Sequence, residues 1–201
     1  RNIMVLMLLG ITISHAQVKR ARELTPIDLN CSFQVMDALD LEFENGSFDA
    51  IWSVEAGAHM NDKIKFADEM LRTLRPGGYF ALADWNCRDL IAKPPNPLEK
   101  LVLKQLLEQW VHPNFISINE FDNILKSNKN SAGRVISENW NFYTNPSWYD
   151  SIYEGIRRPF AILSLGPFAI IKSIREIPTI ILMNWAFKRG LMEFGVYKCR
   201  G

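Results

Sequence analysis

The sequence predicts an α/β fold built on a parallel sheet, and three observations carry that expectation. Strand-like and helix-like stretches alternate as far as Trp85, the order that produces parallel strands joined by right-handed crossovers. The run 48–54 is apolar except for Asp49 and Ser53, as expected of a strand buried on both faces of a parallel sheet. The helix expected at 62–74 stops at Arg75-Pro76-Gly77-Gly78, where proline cannot continue it and glycine supplies the turn. With 201 residues, 48% hydrophobic and 22% charged, the chain has material for one sizeable core, which excludes wholesale disorder.

Taken in order, the apolar run from Ile3 to Leu9 reads as a buried strand, with a secretory signal ending at Ser14-His15-Ala16 as the rival reading. Ser14 and Gln17 have capping-box spacing and open a basic helix at 18–24, which favours the strand. A short strand is expected at 32–36, a loop at 37–47, the strand 48–54, and a helix capped by Asp62. The next strand spans 79–85. Beyond it, Pro94, Pro95 and Pro97 mark a linker, and helices follow at 98–110 and from Ser117, whose Glu120 completes a second capping box. A strand at 134–141, helices at 146–156, 166–176 and 178–188, and a final strand at 193–199 close the chain. One domain results, with 1–90 and 91–201 as its halves.

The charge balance, 23 Lys plus Arg against 22 Asp plus Glu, speaks against a nucleic-acid binder, which needs a basic excess for phosphate contacts. Cys31, Cys87 and Cys199 form no CxxC pair, so neither a disulfide framework nor a zinc site is expected, and the compartment is read as cytoplasmic. Residues 142–201 hold eight basic and four acidic groups and are rich in apolar runs. Such a surface suits an anionic membrane or a lipid-like ligand, the alternative being an ordinary buried helical hairpin.

In open parallel sheets ligands bind beyond the carboxyl ends of the strands. Those positions here are 12–17, 37–39, 53–60 and 84–88. Asp37 could accept a hydrogen bond from an exocyclic amine there, or be a simple turn residue.

The residues at these positions carry a resemblance. Gly10-Ile-Thr-Ile-Ser14, Met36-Asp-Ala38, Gly46-Ser-Phe-Asp49 leading into Trp52-Ser-Val-Glu-Ala-Gly-Ala-His-Met60, and Leu74-Arg-Pro-Gly-Gly78 resemble the class I S-adenosylmethionine-dependent methyltransferases. Ala83-Asp-Trp-Asn86, Gln109-Trp-Val-His-Pro113, residues 171–178, Ala186-Phe187 and Phe194-Gly195 are similar to those of the prenylbenzoquinol and γ-tocopherol methyltransferases within that class. The resemblance implies a Rossmann-like sheet, S-adenosylmethionine as cofactor, no metal, and a lipophilic quinol as substrate. A chromanol substrate, or an inactive methyltransferase-like binding module, are the alternatives. The family's glycine-rich loop, which belongs one strand and one helix before Gly10, has no counterpart in the sequence. The chain is therefore read as a partial copy.

Carried over residue by residue, the resemblance implies that Gly10, Thr12 and Ile13 border the cofactor's ribose and adenine. Asp37 and Ala38 would contact adenine, and Ser53 would lie near its methionine end. His59 and Glu55 are the acid/base candidates, since an imidazole with a pKa of about 6.5 takes up a proton near neutral pH. A pocket-shaping role for His59 is the alternative. Relatives often carry glutamate where this chain has Ala58. Trp85, Trp110, Trp140 and Trp148 are candidate aromatic walls for the substrate ring. Residues 146–188, with Arg157, Arg158, Lys172, Arg175 and Lys188 beside Phe160, Ile162, Leu163, Phe168 and Ile171, are expected to form a helical lid that touches the membrane.

Overall fold

The computed structural model of the chain describes residues 6–131, 134–158 and 166–201. Its elements, in order, are β1 (Leu8–Thr12), α1 (His15–Leu24), β2 (Cys31–Val35), β3 (Phe48–Val54), a 3-10 turn (Gly57–His59), α2 (Lys63–Thr73), β4 (Leu74–Cys87), α3 (Pro97–Gln109), α4 (Ile118–Ser127), β5 (Ile136–Asn139), α5 (Asn141–Arg157), α6 (Pro167–Lys188) and β6 (Met192–Arg200). The alternation as far as β4 matches the sequence pattern, and β1 ends where the helix cap at Ser14 begins.

Side-chain caps set the helix starts, because the first backbone N–H groups of a helix have no partner within it. The Ser14 hydroxyl accepts from Gln17 N–H, Asp62 from Lys65 N–H and Ser117 from Glu120 N–H. The reciprocal box falls elsewhere than expected. It joins Asn96 and Glu99, whose side chains each accept from the other's backbone N–H at 2.9 and 3.0 Å. The same Glu99 carboxylate takes a two-pronged ion pair from Arg88 at 3.0 and 2.7 Å, buried at the end of β4. The Arg88 hydrogen bond is the main cause that holds Glu99 down to about 2. The proline-rich linker into α3 is thereby tied to the sheet.

Two sheets form among the described residues. β1 and β2 pair in parallel, and a four-stranded sheet runs β3-β4-β6-β5, with β3 parallel to β4 and β6 antiparallel to both its neighbours. The helices α5 and α6 lie between β5 and β6 in the chain, so the region expected as a lid is an insertion between the last two strands. Phe160, Ile162 and Leu163 of that expectation lie outside the described residues, as do the side chains of Phe168 and Lys172.

Strand alternation sends successive side chains to opposite faces. Phe80 and Leu82 of β4, with Tyr197 and Cys199 of β6, pack under Phe66, Ala67, Met70 and Leu71 of α2 and Phe121 and Leu125 of α4. A second core joins Cys87 to Val102, Leu103 and Leu106 of α3 and Met183, Ala186 and Phe187 of α6.

Three expectations need correction. β3 is not buried on both faces: it edges its sheet, and Trp52 and Val54 are 71% and 63% exposed, on the same bare face as Tyr79 at 57%. Its apolar pattern is suited to a covering layer that the described residues do not supply. The two helices expected at 166–176 and 178–188 are one, since Pro178 lies inside α6. The helix expected from Pro146 instead starts at Asn141, with Pro146 inside α5. Neither proline ends its helix, because packing between the pair outweighs the lost backbone hydrogen bond.

Candidate active site

The carboxyl ends of β3 and β4 build a polar and aromatic site. Glu55 follows β3 with a left-handed backbone, φ 55°, while its N–H still donates to Ala83 O at 2.8 Å. A non-glycine residue held there costs free energy and persists where surrounding contacts fix it. The turn that swings the backbone away from the sheet presents the Glu55 carboxylate toward β4, where it accepts from Trp85 Nε1 at 3.2 Å.

The 3-10 turn that follows carries His59 and is clasped from beneath. Lys63, the first residue of α2, is buried and folds back so that its ammonium donates to the carbonyls of Gly57, Ala58 and Met60 at 2.8, 2.9 and 2.7 Å. All three ammonium hydrogens are used, as burial of a cation requires. Burial nonetheless pushes Lys63 down to about 8, against the attraction of Asp84. Asp84, on β4, is buried in turn, and burial is the main cause that pushes it up to about 7, while the Trp85 N–H, donating at 2.9 Å, and Lys63 oppose the rise. Gly57 has to be glycine because a Cβ there would run into the Asp84 carboxylate and press on Phe66.

Above this base stands a cluster of rings. His59 stacks on His112, centroids 4.1 Å apart and 28° between planes. His112 meets Trp85 edge-on at 5.5 Å, and Trp85 lies 5.0 Å from Trp110 and 5.9 Å from Trp148. Three of the four tryptophans singled out as ring walls thus come together beside Glu55 and His59. Trp140 is the exception, packing on Tyr143 and donating to Glu138. Trp110 is fixed by its own hydrogen bond, from Nε1 to Glu176 of α6 at 2.9 Å, which ties the inserted helices to the wall. Partial burial, then the Lys63 ammonium, lower the His59 pKa; burial, then His59, push His112 down to about 4. The site therefore offers uncharged imidazole, a carboxylate and flat apolar walls at neutral pH, an arrangement suited to holding an aromatic ring that loses a proton.

The remaining candidates lie at other strand ends. Thr12 ends β1 and Asp37 lies just after β2, and the pairing of the two strands continues in the bond from Met36 N–H to Thr12 O at 3.0 Å. Thr12 donates from its hydroxyl to Gln17, and Asp37 uses one oxygen to accept from Leu39 N–H at 2.9 Å, a local turn that leaves its second oxygen free. Ala38 is half-buried against the α2 core and Ile13 is exposed. Gly10 has a packing reason of its own, since a Cβ would press on the Phe33 ring. Ser53 sits in β3 opposite Leu82, in the other sheet from Thr12 and Asp37. The structure brings His59, Glu55 and the three tryptophans into one site, with Ser53 on β3 two residues before Glu55, and leaves Gly10, Thr12, Ile13, Asp37 and Ala38 on or just after β1 and β2.

Sequence reasoning assigned no role to Lys63, Asp84 or His112. Asp84 falls within the strand-end range 84–88 and inside a segment that carries the resemblance, and for His112 the resemblance was the signal. Nothing in the sequence distinguishes Lys63 from a solvated lysine at the start of a helix.

A mixed sheet with β3 parallel to β4 and β6 antiparallel to both its neighbours, polar groups at the carboxyl ends of β3 and β4, and helices inserted before the last strand have the arrangement of the class I methyltransferase fold. Residues 3–82 of the chain match the family described as a methyltransferase domain. Its relatives include the 2-methyl-6-phytyl-1,4-hydroquinone methyltransferase of a Synechocystis species, 51% identical over 189 residues, which are 94% of this chain and 59% of that protein. They also include the chloroplastic tocopherol O-methyltransferase of Arabidopsis thaliana, 34% identical over 96% of this chain and 56% of that one. The chain thus spans somewhat over half the length of these relatives. Among solved structures, Haemonchus contortus phosphoethanolamine N-methyltransferase 2 superposes with a TM-score of 0.74 at 15% identity, covering 99% of this chain and 50% of that one. Geranyl diphosphate C-methyltransferase from Streptomyces coelicolor does so with 0.67 at 20%, covering 96% and 61%.

Proposed function

We propose that this chain carries the substrate side of an S-adenosylmethionine-dependent C-methyltransferase whose acceptor is a prenylated hydroquinone. The supporting observation is the meeting of Trp85, Trp110 and Trp148 with His59 and Glu55 at the ends of β3 and β4, in a chain 51% identical to an enzyme named for a phytyl hydroquinone. Bound S-adenosylmethionine would supply a sulfonium methyl group, so reactive that the protein has chiefly to align the acceptor and exclude water.

The protein's part follows from the acceptor's chemistry. A ring carbon ortho or para to a hydroxyl becomes more nucleophilic as the phenolic proton leaves, and the hydrogen on that carbon departs as a proton once the new carbon–carbon bond has formed. His59, uncharged at neutral pH, takes the phenolic proton, and Glu55 fixes Trp85 against the ring. The free oxygen of Asp37 is placed to accept from an adenine amine, with Ala38 supplying apolar surface and Thr12, Ile13, Gly10 and Ser53 lining the remaining strand ends. The bare face of Trp52, Val54 and Tyr79 is where further length of the kind present in the relatives would pack.

Calorimetric titration with S-adenosylmethionine tests the cofactor half of this reading, using the chain extended at its amino end with the Synechocystis relative's preceding segment. Binding should appear, and Asp37→Ala should weaken it by about 1–3 kcal/mol, the cost of a lost hydrogen bond to a charged group. Equal affinities would reduce Asp37 to a turn residue.

A membrane-docked substrate favours a membrane-docked enzyme. No helix among the described residues is long and apolar enough to cross a bilayer. The inserted helices nonetheless expose Phe142, Tyr143, Tyr149 and Tyr153 on α5 and Ile171, Ile177 and Ile181 on α6, with Lys188 over the Tyr149 ring at 5.9 Å. Each basic group near an anionic surface contributes about 1 kcal/mol. The extended protein should float with anionic liposomes, and changing Arg157 and Arg158 to Glu should abolish flotation; failure of the intact protein to float removes the membrane from the account.

A further inference from the structure

We propose that His112 is a positioning residue, turned inward by a strained backbone so that its ring, packed on Trp85 and Phe115, holds His59 in place. The inference rests on the reading of His59 as the base and adds the element that keeps it there.

Two non-glycine residues have a left-handed backbone among the described residues, Glu55 and Val111, at φ 55° and 54°. The first bears the site's carboxylate; the second immediately precedes His112. For a β-branched residue such a φ is a real outlier, retained only where the surroundings impose it. What is gained at Val111 is direction. The His112 N–H closes a wide turn onto Leu107 O at 2.9 Å after α3 has ended, and its side chain enters the molecule until 5% of the residue is exposed, while Val111 itself is left at the surface. Neither ring nitrogen of His112 makes a hydrogen bond of good geometry; the Ala58 backbone bears on the ring more weakly and opposes the lowering of its pKa. A buried polar ring without such bonds is costly, so apolar filling alone would be better served by phenylalanine or leucine. The ring is held by Phe115 at 5.0 Å and Trp85 at 5.5 Å, and its face is given to His59 at 4.1 Å.

The groups that bear on His59 from the packed elements are Lys63 of α2, which is tied to three carbonyls, His112 after α3, Glu55 after β3, bonded to Trp85, and Asp84 of β4, buried beneath the turn. Of these His112 alone makes ring contact with it. Removing the His112 ring opens the inner face of His59 to water and leaves Lys63 as its main electrostatic neighbour.

The chain has three histidines, so proton–carbon NMR of their rings across a pH series reads each one separately, with His59 assigned through His59→Gln. No substrate or cofactor is needed, so the result stands apart from the success of the functional reading. In His112→Ala the His59 midpoint should rise from its lowered position toward the ordinary value of about 6.5, while His112→Phe, which keeps a flat ring, should leave it low. A folded His112→Ala protein with an unchanged His59 midpoint overturns the proposal. If the alanine variant does not fold, the unaltered chain decides: with the rings stacked, the His59 signal must show a second inflection as His112 titrates near about 4, and its absence overturns the proposal equally.

Discussion

Phe66→Ala should destabilise the chain by about 3–5 kcal/mol, measured as the shift in urea midpoint at unchanged slope. Phe66 is 1% exposed and is central to the packing of α2 on β4 and β6. It also lies against Gly57, so the cavity would open directly beneath the turn that carries His59. Domains are stable by about 5–15 kcal/mol, and a chain that leaves Trp52, Val54 and Tyr79 bare belongs toward the lower end. The variant should therefore be largely unfolded at ambient temperature. A loss under about 1 kcal/mol would mean that the packing described for α2 on β4 and β6 is wrong.

The second large effect concerns the reaction. In the extended protein, His59→Ala should lower methyl transfer by about 10²–10⁴-fold, the usual contribution of a positioned base. The pH profile fixes the sign. A base works deprotonated, so the rate rises with pH through the His59 pKa and then levels; because partial burial and Lys63 lower that pKa, the plateau should be reached below the ordinary histidine range. The alanine variant should lose this acid limb. A variant that retains both rate and limb would transfer the role to Glu55, whose replacement by Gln is the companion measurement.

How far these features were legible in the sequence depends on how local their causes are. The helix starts at Ser14, Asp62 and Ser117 could be read because a cap is a contact across three residues. The stop expected at Pro178 failed because whether a proline breaks a helix depends on what packs beside it, here α5 against α6. The double-sided burial expected for β3 records the environment for which its residues are suited, whereas the described residues cover one of its faces. At the site, Glu55, His59 and Trp85 were legible as residue types at strand ends or just beyond them, and Trp110 and Trp148 only as aromatic residues farther along the chain. Lys63, Asp84 and His112 were not, since their significance lies in burial and in partners brought from α2, β4 and the end of α3. A lysine becomes a clasp only when three carbonyls surround it.

Methylation of a prenylated hydroquinone at a ring carbon is decided by mass analysis of the product. The extended protein, once titration has established that it binds S-adenosylmethionine, would be given 2-methyl-6-phytyl-1,4-hydroquinone and, separately, the same ring without its phytyl chain. The account predicts one added methyl group on a ring carbon of the phytylated compound, dependent on His59, with poor turnover of the bare ring. Cofactor binding without methylation of the phytylated ring, or methylation that His59→Ala leaves intact together with Glu55→Gln, would contradict it.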